Sequence, residues 1–189
     1  MQVILASASP RRRELLRFLF DSFEIIPADV DEESIAVGAE GGQTASLLAA
    51  AKADAVAAAH PDALVIGCDT VVEAGGILLG KPRDREDARR MLQLLSSGPH
   101  RVITGVALRL DGQKADFSEV TQISFRPLSE EEIEAYIATP EPYDKAGGYG
   151  IQEGATRFVS EMEGDFFNVV GLPVTKLYQT LLERFPQAL

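Results

Sequence analysis

The chain has 189 residues, a formal net charge of −11 and one cysteine. That length suits one well-buried domain, taken as a single unit over residues 1–189, and the acidic balance excludes a general nucleic-acid or anionic-membrane binder, which needs a broad basic face. No apolar run approaches the ~20 residues that span a bilayer, and with Cys68 alone and no charged-then-apolar leader at the start, a reducing cytoplasm is the expected setting.

In chain order, Val3-Ile4-Leu5-Ala6 reads as a strand, and Glu14 to Leu19 has helical spacing after it. Ser9 suits the N-cap of that helix and Pro10 its first position. Arg11, Arg12 and Arg13 then stand in the first turn, where basic residues oppose the helix dipole and call for a counter-charge. Free N–H groups and planar guanidinium donors there match a phosphate, with a solvated first turn as the plain alternative. Phe23 to Ile26 alternates like a short strand and leads into "ADVDEES", an acidic connection. Residues 43–59 form an alanine-rich helix ended by His60-Pro61. A buried strand from Ala63, the Gly75-Gly76 turn and Ile77-Leu78-Leu79 follow. Ala88, Met91, Leu92 and Leu95 mark a helix over 85–95. Two long strands flank Asp111-Gly112 as a hairpin. Ser129 and Glu132 form a capping-box pattern for a helix to about residue 138. The stretch "TPEPYDKAGGYGIQEGA" reads as a functional loop. A strand around "TRFVSEM", the connection "GDFFNVVGLP" and a helix from Pro173 complete the chain.

Asp69 is conspicuous, because a carboxylate closing the run Leu64-Val65-Ile66-Gly67-Cys68 is costly to bury unpaired. It reads as a metal ligand, a proton acceptor, or both, against the alternative of a capped surface aspartate. Lys81, in "GKP", is a phosphate-binding ammonium or simply exposed. Lys52 lies inside the alanine-rich helix, where a solvated position is the stronger reading. Asp31, Glu32 and Glu33 suit a hard cation or a solvated loop. Gln152 ends a loop with the charge pair Asp144 and Lys145, and its amide offers the one donor and one acceptor that match a pyrimidine edge. His60 reads as structural, His100 and Cys68 fall in no nucleophilic triad, and neither a P-loop nor zinc-ligand spacing occurs.

The segments "ASASPRRRELL", "GCDTVV", "GKP", "HRVITGVAL", "YDKAGGYGIQ" and "GDFFNVVGLP" stand in the order seen in Maf proteins, and the sequence resembles that family over nearly its whole length. Maf proteins are nucleoside triphosphate pyrophosphatases, and "DKAG-YGIQ" is similar to the dTTP/UTP-directed branch rather than the 7-methyl-GTP-directed one. The resemblance makes Asp69 the match for the proton acceptor. It associates Arg12, Thr70 and Gln152 with substrate choice, Ser7, Arg11, Lys52 and Lys81 with the phosphate site, and Glu32 with an acidic residue close by. Glu153 departs from the glycine usual after "GIQ"; its carboxylate either alters nucleotide preference or points to solvent.

The resemblance also implies an α/β fold similar to inosine triphosphatases, with a mixed, curved sheet, flanking helices, a two-lobed cleft and homodimers. On this reading a nucleoside triphosphate lies with its phosphates against the Ser7–Arg12 turn, Lys52 and Lys81, with Arg11 and Arg12 neutralising charge and Arg13 exposed. Mg²⁺ or Mn²⁺ is shared between phosphate oxygens and Asp69 or Glu32. Water activated by Asp69 attacks the α-phosphorus and pyrophosphate leaves, which cleans the nucleotide pool. The alternatives are an inosine triphosphatase-like purine enzyme and a non-catalytic regulator of cell division linked with septum formation.

Overall fold

A computed structural model describes residues 1–35 and 41–189; the side chain of Glu33, from the acidic trio, lies outside the described residues. The first apolar run is β1 (Val3–Leu5), wholly buried. In α1 (Pro10–Leu16) Ser9 is the N-cap, extended in backbone, and its side chain accepts from the Arg12 amide. The helix stops short of Leu19 because its buried face ends at Leu15 and Leu16, and Phe18 is left exposed. β2 (Glu24–Ile25) follows. The acidic connection contains one helical turn, α2 (Glu32–Ile35), capped by Asp31, whose carboxylate accepts from the Ser34 amide at 3.4 Å. The alanine-rich helix is α3 (Gly41–Ala57).

β3 (Leu64–Ala74) and β4 (Ile77–Leu79) flank the Gly75-Gly76 turn, and α4 (Arg85–Ser96) buries Ala88, Met91, Leu92 and Leu95. β5 (His100–Leu110) and β6 (Gln113–Phe125) meet at Asp111-Gly112, both at positive φ (49° and 76°), as a two-residue hairpin turn of the mirror-image type requires. α5 (Glu130–Ile137) starts with both halves of the Ser129–Glu132 capping box. The glycine-rich segment then folds as 3-10 turns over Glu141–Asp144, Ala146–Gly148 and Gly154–Phe158, so the expected strand begins only at β7 (Val159–Glu163). The "GDFFNVVGLP" connection holds a short helix, α6 (Phe166–Val170), whose entry is fixed by Asp165 accepting from the Phe167 amide at 2.8 Å. α7 (Val174–Arg184) follows Pro173.

The strands form one mixed sheet in the order β2-β1-β3-β5-β6-β7, with β4 paired antiparallel to β3. β1 is parallel to β2 and β3, and β7 is antiparallel to β6. Because Leu5 pairs with Ile66, the turn at Ser7 leaves β1 alongside Cys68. α3 lies unusually close to the sheet: a Cβ on Gly67 would stand 2.3 Å from the Ala49 carbonyl oxygen, and one on Gly105 2.3 Å from that of Ala45. Strand glycines and helix alanines therefore share a dry seam with Ile4, Ala6, Val65 and Ala107.

The chain divides into two compact units. The first comprises residues 1–70, 104–119 and 171–189; the second comprises 71–103 and 120–170. In the second, His100, Phe125, Tyr149, Phe158 and Tyr136 form an edge-to-face aromatic chain with centroids 4.9–5.9 Å apart. Within it His100 Nε2 and the Tyr149 hydroxyl are 2.7 Å apart, and burial pushes the imidazole down to about 4. His100 is thus a neutral core residue.

Candidate active site

The first unit gathers Ser7, Arg11, Arg12, Glu32, Lys52, Asp69 and Thr70. Asp69, 9% exposed, follows the buried half of β3. Lys52 reaches it from α3: its Nζ donates to Asp69 Oδ1 at 2.6 Å and lies 2.7 Å from Glu32 Oε1. The close seam of α3 on Gly67 is what allows a helix lysine, expected in solvent, to end on a strand carboxylate. Burial alone would lower the Lys52 pKa, but Asp69 and Glu32 together raise it above its ordinary value, so the ammonium is firmly charged.

Arg12 departs from a simple phosphate ligand. Its Nε donates to the Gly171 carbonyl at 3.0 Å, Nη1 to Ser7 Oγ at 3.1 Å and to the Cys68 carbonyl at 2.9 Å, and Nη2 to Thr70 Oγ1 at 3.0 Å. A guanidinium has five N–H donors, so only one is left for a ligand. Arg12 is a clamp on the β1 turn, the end of the buried part of β3 and the residues before α7. Gly171 has φ +127°, a backbone conformation that favours glycine, while a Cβ there would stand at ordinary contact distance, 3.5 Å, from Arg12 Nε. Thr70 Oγ1 is also 2.9 Å from Thr104 Oγ1. Arg11 is partly buried and Arg13 exposed, as expected. The dipole argument is weaker than the sequence suggests, since α1 has seven residues and begins with proline, and the positive charge comes from side chains.

Gly171 and Thr104 went unnoticed in the sequence. Thr104 had a signal, a hydroxyl in an otherwise apolar strand, whereas the Gly171 contribution is a main-chain oxygen that residue type does not mark.

Lys81 and Gln152 lie in the second unit, both exposed. The two segments that carry them pack together there: the Gly147 amide donates to the Gly80 carbonyl at 3.0 Å, and a Cβ on Gly148 would meet Pro82 Cγ at 2.9 Å. Glu153 is exposed, yet its carboxylate is paired within the loop. Its Oε2 is 2.8 Å from the Nζ of Lys145.

The donor set suits a hard divalent cation. Oxygens of Asp69 and Glu32 already converge on one positive centre, and Mg²⁺ commonly binds through one or two carboxylates with the remainder from phosphate and water. Among the described residues no group of three or more His, Cys, Asp or Glu gathers as an all-protein metal cage.

Residues 2–184 match the family model described as Maf-like protein. The chain is 49% identical to the dTTP/UTP pyrophosphatase of Carboxydothermus hydrogenoformans, covering 97% of this chain and 98% of that protein. Identity to the dTTP/UTP pyrophosphatase of Alkaliphilus oremlandii is 52%, over 97% and 96% of the two chains. The fold is similar to the Ham1 proteins of Coxiella burnetii (TM-score 0.56, 15% identity, 97% and 99% covered) and Staphylococcus aureus (TM-score 0.54, 15% identity, 97% and 98% covered). At that identity the likeness concerns architecture alone. With its motifs in order, its α/β sheet of Ham1 type and near full-length matches to both the family model and these relatives, the chain belongs to the Maf family.

Proposed function

We propose that the chain acts as one catalytic domain that hydrolyses nucleoside triphosphates, dTTP and UTP by preference, to the monophosphate and pyrophosphate. The observation that carries this reading is the pairing of Lys52 with the buried Asp69 and with Glu32, a charged cluster whose only structural alternative is a costly buried ion pair. The names of the relatives support the nucleotide preference.

Arg11, Lys52 and Lys81 balance phosphate charge, while Ser7 and Thr70 are oriented by Arg12, which acts on substrate choice through them and through its one remaining N–H. Asp69 Oδ1, relieved of Lys52 when that ammonium turns to phosphate, accepts the proton of the water that attacks the α-phosphorus. Glu32 and Asp69 are the residues that would hold Mg²⁺ or Mn²⁺, which when bound supplies charge stabilisation on the phosphate oxygens. Gln152 presents its amide to the pyrimidine edge.

No helix among the described residues is long and apolar enough to cross a membrane. Buried free Cys68 and the acidic charge fit a cytoplasmic enzyme that acts on free nucleotides rather than nucleic acid, as a homodimer.

The test is pyrophosphate release from a nucleotide panel by the wild type and by Asp69→Asn. Folded Asp69→Asn should lose about 10²–10⁴ in kcat, the usual worth of a general base. Turnover near wild type would remove Asp69 from the chemistry. Release from ITP or XTP but not dTTP would favour a purine enzyme, and no release from any nucleotide would favour a regulatory protein.

A further inference from the structure

We propose that Lys145 and Glu153 form a positioning pair that fixes the direction in which Gln152 presents its amide; this rests on the reading of Gln152 as the base-selecting residue. Lys145 is a lysine with a side chain only 7% exposed, a rare state for this residue type. Its ammonium donates to the Glu141 carbonyl at 2.9 Å and to Asp144 Oδ1 at 2.7 Å, and it forms an ion pair with Glu153, whose Oε2 is 2.8 Å away. The Glu141 carboxylate accepts from the Gly154 amide at 2.9 Å. Glu153 by its side chain and Gly154 by its backbone are therefore both tied to the Glu141–Lys145 turn.

The preceding side of the loop is also held. Gly150 lies on the lysine stem, where a Cβ would come within 2.7 Å of Lys145 Cε. The Thr156 hydroxyl bonds back to the carbonyls of Ile151 and Glu153, the latter at 2.8 Å. Gln152 is exposed, as Glu153 and Thr156 are, but unlike them its side chain makes no hydrogen bond or ion pair to any described residue. A free amide stands on a frame whose neighbours are all pinned. Reading a base edge requires donor and acceptor in a set order, which an amide on a slack loop would offer only at an added ordering cost. Burying an ammonium to hold the loop makes physical sense for selection, whereas a loop needed only as a connection could remain solvated.

The test compares kcat/KM for dTTP and ATP in Glu153→Ala, Gln152→Ala and the double variant, with thermal melting of each. Glu153→Ala should lower the dTTP-to-ATP ratio by about tenfold, the size of one lost charge-assisted hydrogen bond, mainly through KM for dTTP. In the Gln152→Ala background it should add nothing, and Glu153→Gln, which keeps an oxygen facing the ammonium, should recover part of the ratio. An unchanged ratio in Glu153→Ala, an equal loss in the Gln152→Ala background, or unfolding of Glu153→Ala would each overturn the pairing role while leaving base selection by Gln152 intact. If Gln152→Ala itself leaves the ratio unchanged, the base-selection reading fails and this inference with it.

Discussion

The proposed reaction and phosphate residues of the first unit, with the Arg12 clamp beside them, and the proposed base-reading Gln152 of the second are carried by different kinds of structure. Asp69 lies on a long strand, Lys52 on a helix of 17 residues, and Arg12 at a capped turn whose guanidinium is bonded in four directions. Gln152 stands between 3-10 turns, next to an ion pair between buried Lys145 and exposed Glu153. On the proposed reading, chemistry that tolerates little displacement sits on regular elements, while base choice by Gln152 sits on a loop that can change without disturbing them. Glu153 then bears on the frame of selection and not on Asp69 or Lys52.

The sharpest way to break the contrast is at Lys52. Lys52→Met leaves Asp69 and Glu32 facing each other without their cation, and should cost about 3 kcal/mol of stability together with most of the turnover. Urea denaturation and pyrophosphate release measure both; unchanged stability would mean that the carboxylates move apart into solvent.

The second unit should be acid-sensitive through His100. Its folded pKa, about 4, lies below the ordinary 6.5, so its contribution is fully present above pH 6.5 and is lost as pH falls from there towards 4. The loss amounts to about 3 kcal/mol at most. His100→Gln should flatten this decline in melting temperature between pH 7 and 4.5; an identical decline in the variant would place the acid sensitivity elsewhere.

The smallest effects come from a matched pair of glycines. Gly67→Ala drives a methyl into the Ala49 backbone oxygen and should cost about 1–3 kcal/mol and weaken the Lys52–Asp69 contact. Gly150→Ala meets side chains rather than backbone, the Lys145 stem at 2.7 Å and Glu153 Oε2 at 3.2 Å, so stability should fall by less than in Gly67→Ala while the dTTP-to-ATP ratio drops. Equal melting temperatures for the two variants would erase the distinction between rigid and adjustable regions.

Much of this was legible in the sequence where a local rule applies. Ser9, the Ser129–Glu132 box and Asp111-Gly112 mark their own element boundaries, and Asp69 stands out because an apolar run rarely ends in an unpaired carboxylate. α2 and α6 were missed because helices of four and five residues carry too few turns to show a period. Lys52 looked like an ordinary solvated helix residue, since its placement depends on two glycines in other elements that let α3 settle onto the sheet. Arg12 was marked, but its partners at Cys68 and Gly171 are main-chain oxygens, which any residue type supplies.

The bond from Arg12 to Gly171 joins positions 159 residues apart. During synthesis on the ribosome, the whole second unit emerges before Gly171 does, whereas the first unit starts with the first residues made and is completed by the last. A nascent chain therefore carries the basic turn and Asp69 for most of its translation with the Arg12 clamp lacking its Gly171 arm. Closing so long a loop is a late step, so the clamp is complete only when the polypeptide is almost finished, and a product terminated before Gly171 keeps the Lys52 cluster but loses that arm of Arg12.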